Sequence, residues 1–123
     1  MNTPGHLHAI TIEKNPNRIK VTFNRTVIAD TRQALILREG LLPPVNYIPR
    51  ENVYISYFQR TSHTTRYPLK GDASYFTVSV EDRIAENAVW TYETSFSSVA
   101  DIKNHVVFYP EKMNAIEGPP HEG

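Results

Sequence analysis

Six residues of this chain carry side chains suited to gripping a small ligand: Arg50, Glu51, His63, Lys70, Tyr75 and Trp90. Arg50 follows Pro49, and its planar guanidinium can hold a carboxylate or phosphate through two parallel N–H bonds. Its other reading is an ion pair with Glu51 or Glu39. Lys70 stands beside Gly71 and offers a point charge to an anion, or is a solvated turn lysine. His63 is the candidate general base, since imidazole exchanges protons near neutral pH; otherwise it hydrogen-bonds its own loop. Tyr75 adds an aromatic face with a polar tip. Trp90 and Tyr92 alternate with Val89 and Thr91, so the two rings share one face of a strand, where core packing is the ordinary role.

Most of these residues surround one polar stretch, "SHTTRYPLKGDASYF", residues 62–76. Between Tyr54 and Gly71 stand Arg60, Arg66, Lys70 and His63, with no acid among them. From Asp72 to Asp101 six acids face a single cation, Arg83. A zero net charge hides this asymmetry, which predicts a local positive patch. Hydroxyls at Thr61, Ser62, Thr64 and Thr65 add hydrogen-bond donors, and Tyr67 joins Tyr75 as an aromatic surface. The mixture suits a small anionic or planar ligand held around a 60–76 loop. The plainer alternative is a solvated loop, with Lys70-Gly71-Asp72 as a tight turn.

Several chemistries are unsupported. There is no cysteine, which removes disulfides, thiol catalysis and cysteine-bound metals. Five scattered glycines build no phosphate-cradling loop. No acid has another acid two positions away, so a strand-borne magnesium clamp is not visible. His6 and His8 share a strand face but have no evident third ligand, so no metal is expected. No Gly-x-Ser-x-Gly elbow occurs, and Ser62 beside His63 lacks the geometry of a nucleophile and its base. No cofactor is expected. Neutral charge argues against nucleic acid. No apolar run reaches the roughly 18–20 residues of a membrane helix, and the N-terminus lacks a signal peptide, so the expected location is the cytoplasm.

The elements that must position these groups are short strands, because Val, Ile, Tyr, Phe and Thr recur in runs broken by Asn, Pro and Gly. Ile10 and Ile12 share one face of a first strand, and Ile19, Val21 and Phe23 one face of the next. Asn24-Arg25 then marks a hairpin into Thr26–Ala29. Ala34–Leu37 reads as a strand or a short helical turn, and Val45, Tyr47 and Ile48 as another strand. Residues 49–60 read as a turn and then a strand. Tyr75–Val80 and Ala88–Tyr92 are strands around a turn at Glu81-Asp82-Arg83. Ser98-Val99-Ala100-Asp101 has capping-box spacing and predicts one short helix near residues 98–104. Val106–Tyr109 is the final strand, and the polar tail is expected to be disordered. The expected layout is an extension over residues 1–9, one domain over 10–113 and a disordered tail over 114–123.

The stretches "VTFNRTVIADTRQALILRE", "VNYIPRENV", "HTTRYPLKGDASYFTV", "ENAVWTYETSF" and "HVVFYPEKM" resemble the domain of unknown function 427 family, over nearly the whole chain, about Ile10 to Met113. The most specific pieces are Lys70-Gly71-Asp72-Ala73-Ser74-Tyr75 and Asn87-Ala88-Val89-Trp90-Thr91-Tyr92. The resemblance implies a mainly β, compact single domain of coiled antiparallel sheets, grouped with the β-tent proteins. Some of those bind zinc through cysteine pairs, and some hold small ligands in aromatic pockets. The family usually shows Cys-Pro-Tyr-Lys-Gly where this chain has Tyr67-Pro68-Leu69-Lys70-Gly71, so no thiol role carries over. Its nucleotidyltransferase-like label finds no glycine loop or spaced acid pair here.

Three functions remain open. The first is a module that binds a small anionic or planar molecule. The second is an enzyme of unassigned reaction using His63 or Lys70. The third is an interaction module, a homodimer through an exposed strand edge.

Overall fold

Ile19, Val21 and Phe23 are buried on one side of β2 (Ile19–Phe23), while Lys20 and Thr22 on the other side are only partly covered. This period of two is what a strand with one dry face requires, and it recurs along the chain. The computed structural model describes residues 9–67, 70–95 and 97–117. Among them, β2 is joined by β1 (Ile10–Asn15), β3 (Thr26–Thr31), β4 (Ala34–Glu39), β5 (Val45–Pro49), β6 (Phe58–Tyr67), β7 (Gly71–Val80), β8 (Arg83–Ser95), β9 (His105–Phe108) and β10 (Ala115–Glu117). The chain is thus mainly β, and every pairing of these strands is antiparallel. Among the described residues the strands form two sheets, a large one in the order β1-β4-β5-β9-β8-β7-β6 and a small one in the order β10-β2-β3.

Alternation in the large sheet divides the core in two. Val106 and Phe108 of β9 point one way and Val107 the other. In β7, Phe76, Val78 and Val80 take the first direction, Ala73 and Tyr75 the second. The first face packs against Ile19, Val21, Phe23, Ile28 and Ala29 of the small sheet. The second face gathers Leu37, Tyr47, Tyr75, Tyr92 and Val107, with Trp90 and Tyr109 partly buried beside them. It is covered by a 3-10 segment, Ser97–Ile102, which inserts Val99 and Ile102. The hairpin at Asn24-Arg25 forms as predicted: Phe23 pairs with Thr26, and both turn residues take positive φ, 49° and 64°. That conformation is the one a two-residue turn needs to match strand twist.

Three expectations change. The predicted helix near 98–104 is a 3-10 segment interrupted at Val99 (φ −130°, ψ 32°). A stretch this short cannot meet the cost of helix nucleation, and a three-residue repeat puts Val99 and Ile102 on one side against the core. The predicted 60–76 loop is a hairpin instead. β6 runs to Tyr67 and β7 starts at Gly71, with Tyr67 paired to Gly71. Thr61–Thr65 read as polar because β6 is an edge strand with solvent along it. Pro68 and Leu69 lie outside the described residues. Finally, Ala115–Glu117 form a strand where disorder was expected. Ile116 pairs with Val21, and its side chain packs partly buried on the first core. His6, His8 and His121 lie outside the described residues. Among the described residues, no helix is long and apolar enough to cross a membrane.

Candidate functional site: a tyrosine-lined sheet face

The second face of the large sheet is unusual in what it buries. Aliphatic side chains would satisfy a core, yet β5, β7 and β8 bring Tyr47, Tyr75, Tyr92 and Trp90 together there. Tyr67 from the end of β6 and Tyr109, just after β9, stand at its margins. The rings form a contact chain. Tyr67 meets Tyr92 edge-on with centroids 6.3 Å apart, and Trp90 lies 4.7 Å from Tyr109. Tyr75 and Trp90 face each other in the β7–β8 register.

The Tyr75 hydroxyl lies 3.1 Å from Thr65 Oγ1 and is satisfied there. Tyr92 is different. Its residue is fully buried, and among the described residues its hydroxyl has no hydrogen-bond partner. Leaving such a group unpaired costs about 1–3 kcal/mol. Burial is also the main cause that raises the acid constants here. It pushes the Tyr92 and Tyr47 phenols far above the ordinary tyrosine value, and Tyr109 to about 12. The nearby phenols and the Glu39 carboxylate reinforce the effect at Tyr92, because a second negative charge is unwelcome there.

Glu39 is held by Lys70. Lys70 Nζ lies 2.8 Å from Glu39 Oε1, with the two side chains only 10% and 13% exposed. The ammonium also stands 4.8 Å from the Tyr67 ring centroid. Gly71, directly after Lys70, has φ 119° and starts β7, which a residue with a Cβ would resist. Lys70 is still a residue of the turn, its amide bonded to the Tyr67 carbonyl at 3.1 Å, but its side chain is buried. The face therefore combines flat rings, a buried ion pair and one unpaired phenol.

The six residues singled out from the sequence divide among three places. Lys70, Tyr75 and Trp90 belong to the aromatic face, and His63 touches it from outside, its ring 4.4 Å from that of Tyr75. Arg50 stands elsewhere. It begins a 3-10 turn, Arg50–Asn52, and reaches Glu93 at 2.9 Å rather than Glu51 or Glu39. Arg60 bonds the same Glu93 oxygen, and both guanidiniums lie over Phe76, whose ring belongs to the first core. The Arg60 hydrogen bond, then Arg50, holds the Glu93 carboxyl below its ordinary range against the opposing effect of partial burial. Glu51 is exposed on the rim of a separate shallow cleft with Arg18, Asp30 and Asn52.

The predicted positive patch is also corrected. Arg60 pairs with Glu93, Arg66 with Asp72 and Lys70 with Glu39. Antiparallel pairing folds Asp72 and Glu93 of the acid-rich segment back beside Arg66 and Arg60, and β4 brings Glu39 to Lys70, so the imbalance along the chain is offset in space. Sequence reasoning missed Glu39, Tyr47 and Tyr109 as members of the face. Period-two spacing from Val45 to Tyr47 and from Val107 to Tyr109 was the available signal. Among the described residues, no three His, Asp or Glu side chains cluster closely enough to hold a metal ion.

No curated protein matches this sequence. The family model described as domain of unknown function (DUF427) matches residues 11–118 and so spans nearly all of both sheets, and the chain belongs to that family.

Proposed function

We propose that this domain binds a small planar molecule carrying a hydrogen-bond acceptor, a carbonyl or carboxylate, at the tyrosine-lined face. The observation that carries the reading is the Tyr92 hydroxyl, buried and unpaired amid rings. An acceptor on a ligand would complete its hydrogen bonding once the more exposed margin of Tyr67, Trp90 and Tyr109 parted to admit it, and those rings supply stacking area. Lys70 gives the site a cationic rim whose charge Glu39 already balances, which favours a neutral or singly anionic planar ligand over a polyanion. Such a module needs no catalytic constellation. The enzymatic alternative has weaker support. The Lys70 ammonium is committed to Glu39, and His63 is exposed on β6.

Thermal unfolding in the presence of benzoate, nicotinate, uracil and hypoxanthine tests the proposal. A compound that binds only the folded chain raises the melting temperature, by more the further its concentration exceeds its dissociation constant. At least one of these planar compounds is expected to do so, with acetate and inorganic phosphate inert. A flat response to all four would defeat the reading, as would a shift kept intact in Tyr92→Phe.

A further inference from the structure

β7 is flanked by irregular pairing on both sides, and the two irregularities meet. On the β6 side, Arg60 pairs with Phe76 and Thr64 with Ser74, so residues 61–63 stand opposite Tyr75 alone. On the β8 side, Val89 pairs with Phe76 and Ala85 with Val78, so residues 86–88 stand opposite Thr77 alone. Bulges re-aim side chains and recur beside functional sites. Here they are tied together across β7. Thr61 Oγ1 donates to Asn87 Oδ1 at 2.7 Å, and the Asn87 amide donates to Thr77 Oγ1 at 3.2 Å. Asn87 takes φ 49°, a conformation asparagine tolerates better than most residues.

Between the bulges lies an open concavity of about 680 Å³. Gln59, Thr61, Ser62, Thr64, Thr77 and Asn87 supply hydroxyls and amides along its lining. Each of these groups both donates and accepts, or carries one of each. Charge is nearly balanced: Arg60 is already bound to Glu93, and Glu86 is the acid at the rim. Ile84, 65% exposed, and the His63 ring give two apolar surfaces beside the polar groups. An anion site would need uncommitted positive charge, and an apolar drug-like site would be enclosed and greasy. Neither description fits this cleft. Paired donors and acceptors with small apolar platforms match a sugar ring, whose hydroxyls donate and accept and whose C–H faces are apolar.

We infer that the cleft between the two bulges is a binding site for a neutral saccharide, independent of the tyrosine-lined face. Thr61 and Asn87 set the shape of the site, and Ser62, Thr64 and Gln59 contact the sugar hydroxyls. Because the cleft is open, the expected dissociation constant is about 1 mM.

The test uses the full chain, labelled with nitrogen-15, titrated separately with maltotriose, cellotriose and N-acetylglucosamine. At least one sugar is expected to move the amides of residues 61–64, Thr77 and Asn87 saturably. Ser62→Ala, at an exposed position, is expected to weaken binding about threefold to tenfold through loss of one hydrogen bond to the sugar, and Asn87→Gly, which keeps the positive φ, by a similar factor through loss of the tie to Thr61 that shapes the cleft. Inorganic phosphate and nicotinate are expected to leave these amides in place. The inference is overturned if none of the three sugars moves them at roughly ten times a millimolar dissociation constant. It is equally overturned if phosphate moves them more than sugar, or if both variants bind like the parent. Shifts confined to Trp90 and its neighbours would count for the aromatic face and against this cleft.

Discussion

Among single residues, Tyr92 and Lys70 are the two buried polar groups that matter most on the aromatic face. A buried hydroxyl without a partner weakens the fold that contains it. Tyr92→Phe is therefore expected to stabilise the free protein by about 1 kcal/mol, read as a higher urea midpoint with unchanged slope. A loss of stability would mean that the hydroxyl is satisfied within the fold. Lys70 presents the opposite case, a buried charge that is paired. Removing it strands Glu39, so Lys70→Met should cost about 3–5 kcal/mol. Adding Glu39→Leu should recover most of that loss, since a well-packed apolar pair often replaces a buried ion pair at little cost. A double variant as unstable as Lys70→Met alone would show that packing, not stranded charge, sets the effect.

At the scale of elements, β10 closes the small sheet and β6 edges the large one. Three residues of β10 pair with β2 and cover Val21, while Asn114 accepts a hydrogen bond from the Asn24 amide. A chain ending at Met113 is expected to melt at least 4 °C lower, the shift about 1 kcal/mol produces in a domain of this size. An unchanged melting temperature would make β10 an ornament. The same elements show what the sequence could and could not disclose. The β2–β3 hairpin was legible because alternation and turn chemistry agree within a dozen residues. Strands β7 and β8 were legible too, though shorter than they are, because Val, Tyr and Trp recur there. β6 was read as a loop because an edge strand needs no apolar face, and Thr61–Thr65 show none. β10 was missed because Ile116 is a lone apolar residue between Ala115 and Glu117. The site was legible in part. Lys70, Tyr75 and Trp90 meet on one face, but their partners Glu39, Tyr47 and Tyr109 come from strands distant in sequence, and only the sheet order brings them together. Arg50 went to the other core for the same reason: its partner Glu93 is 43 residues away.

At the scale of the whole molecule, the two faces of one sheet divide the labour. One packs apolar side chains against the small sheet, and the other stores phenols. This division predicts the response to pH. Tyr47, Tyr92 and Tyr109 have folded acid constants above the unfolded value near 10. Their contribution to stability is complete below pH 10 and is lost as pH rises beyond it, because unfolded phenols ionise first. Glu93 acts in the other direction. Its constant is depressed when folded, so its contribution holds above the unfolded value of 4.5 and fades as pH falls below it. Denaturant midpoints should thus stay level from about pH 6 to 9 and fall on either side, with Glu93→Gln removing part of the acid limb. A midpoint that climbs above pH 10 would contradict the burial of these phenols. The central claim is that the unpaired Tyr92 hydroxyl marks a ligand site, and Trp90, the sole tryptophan of the chain, reports on it directly. The decisive measurement is a titration with the same planar compounds followed by Trp90 emission, in the parent and in Tyr92→Phe. At least one of them is expected to give saturable quenching in the parent and about tenfold weaker binding in the variant, the loss of one buried hydrogen bond. Equal affinity in both proteins, or no quenching in either, would contradict it.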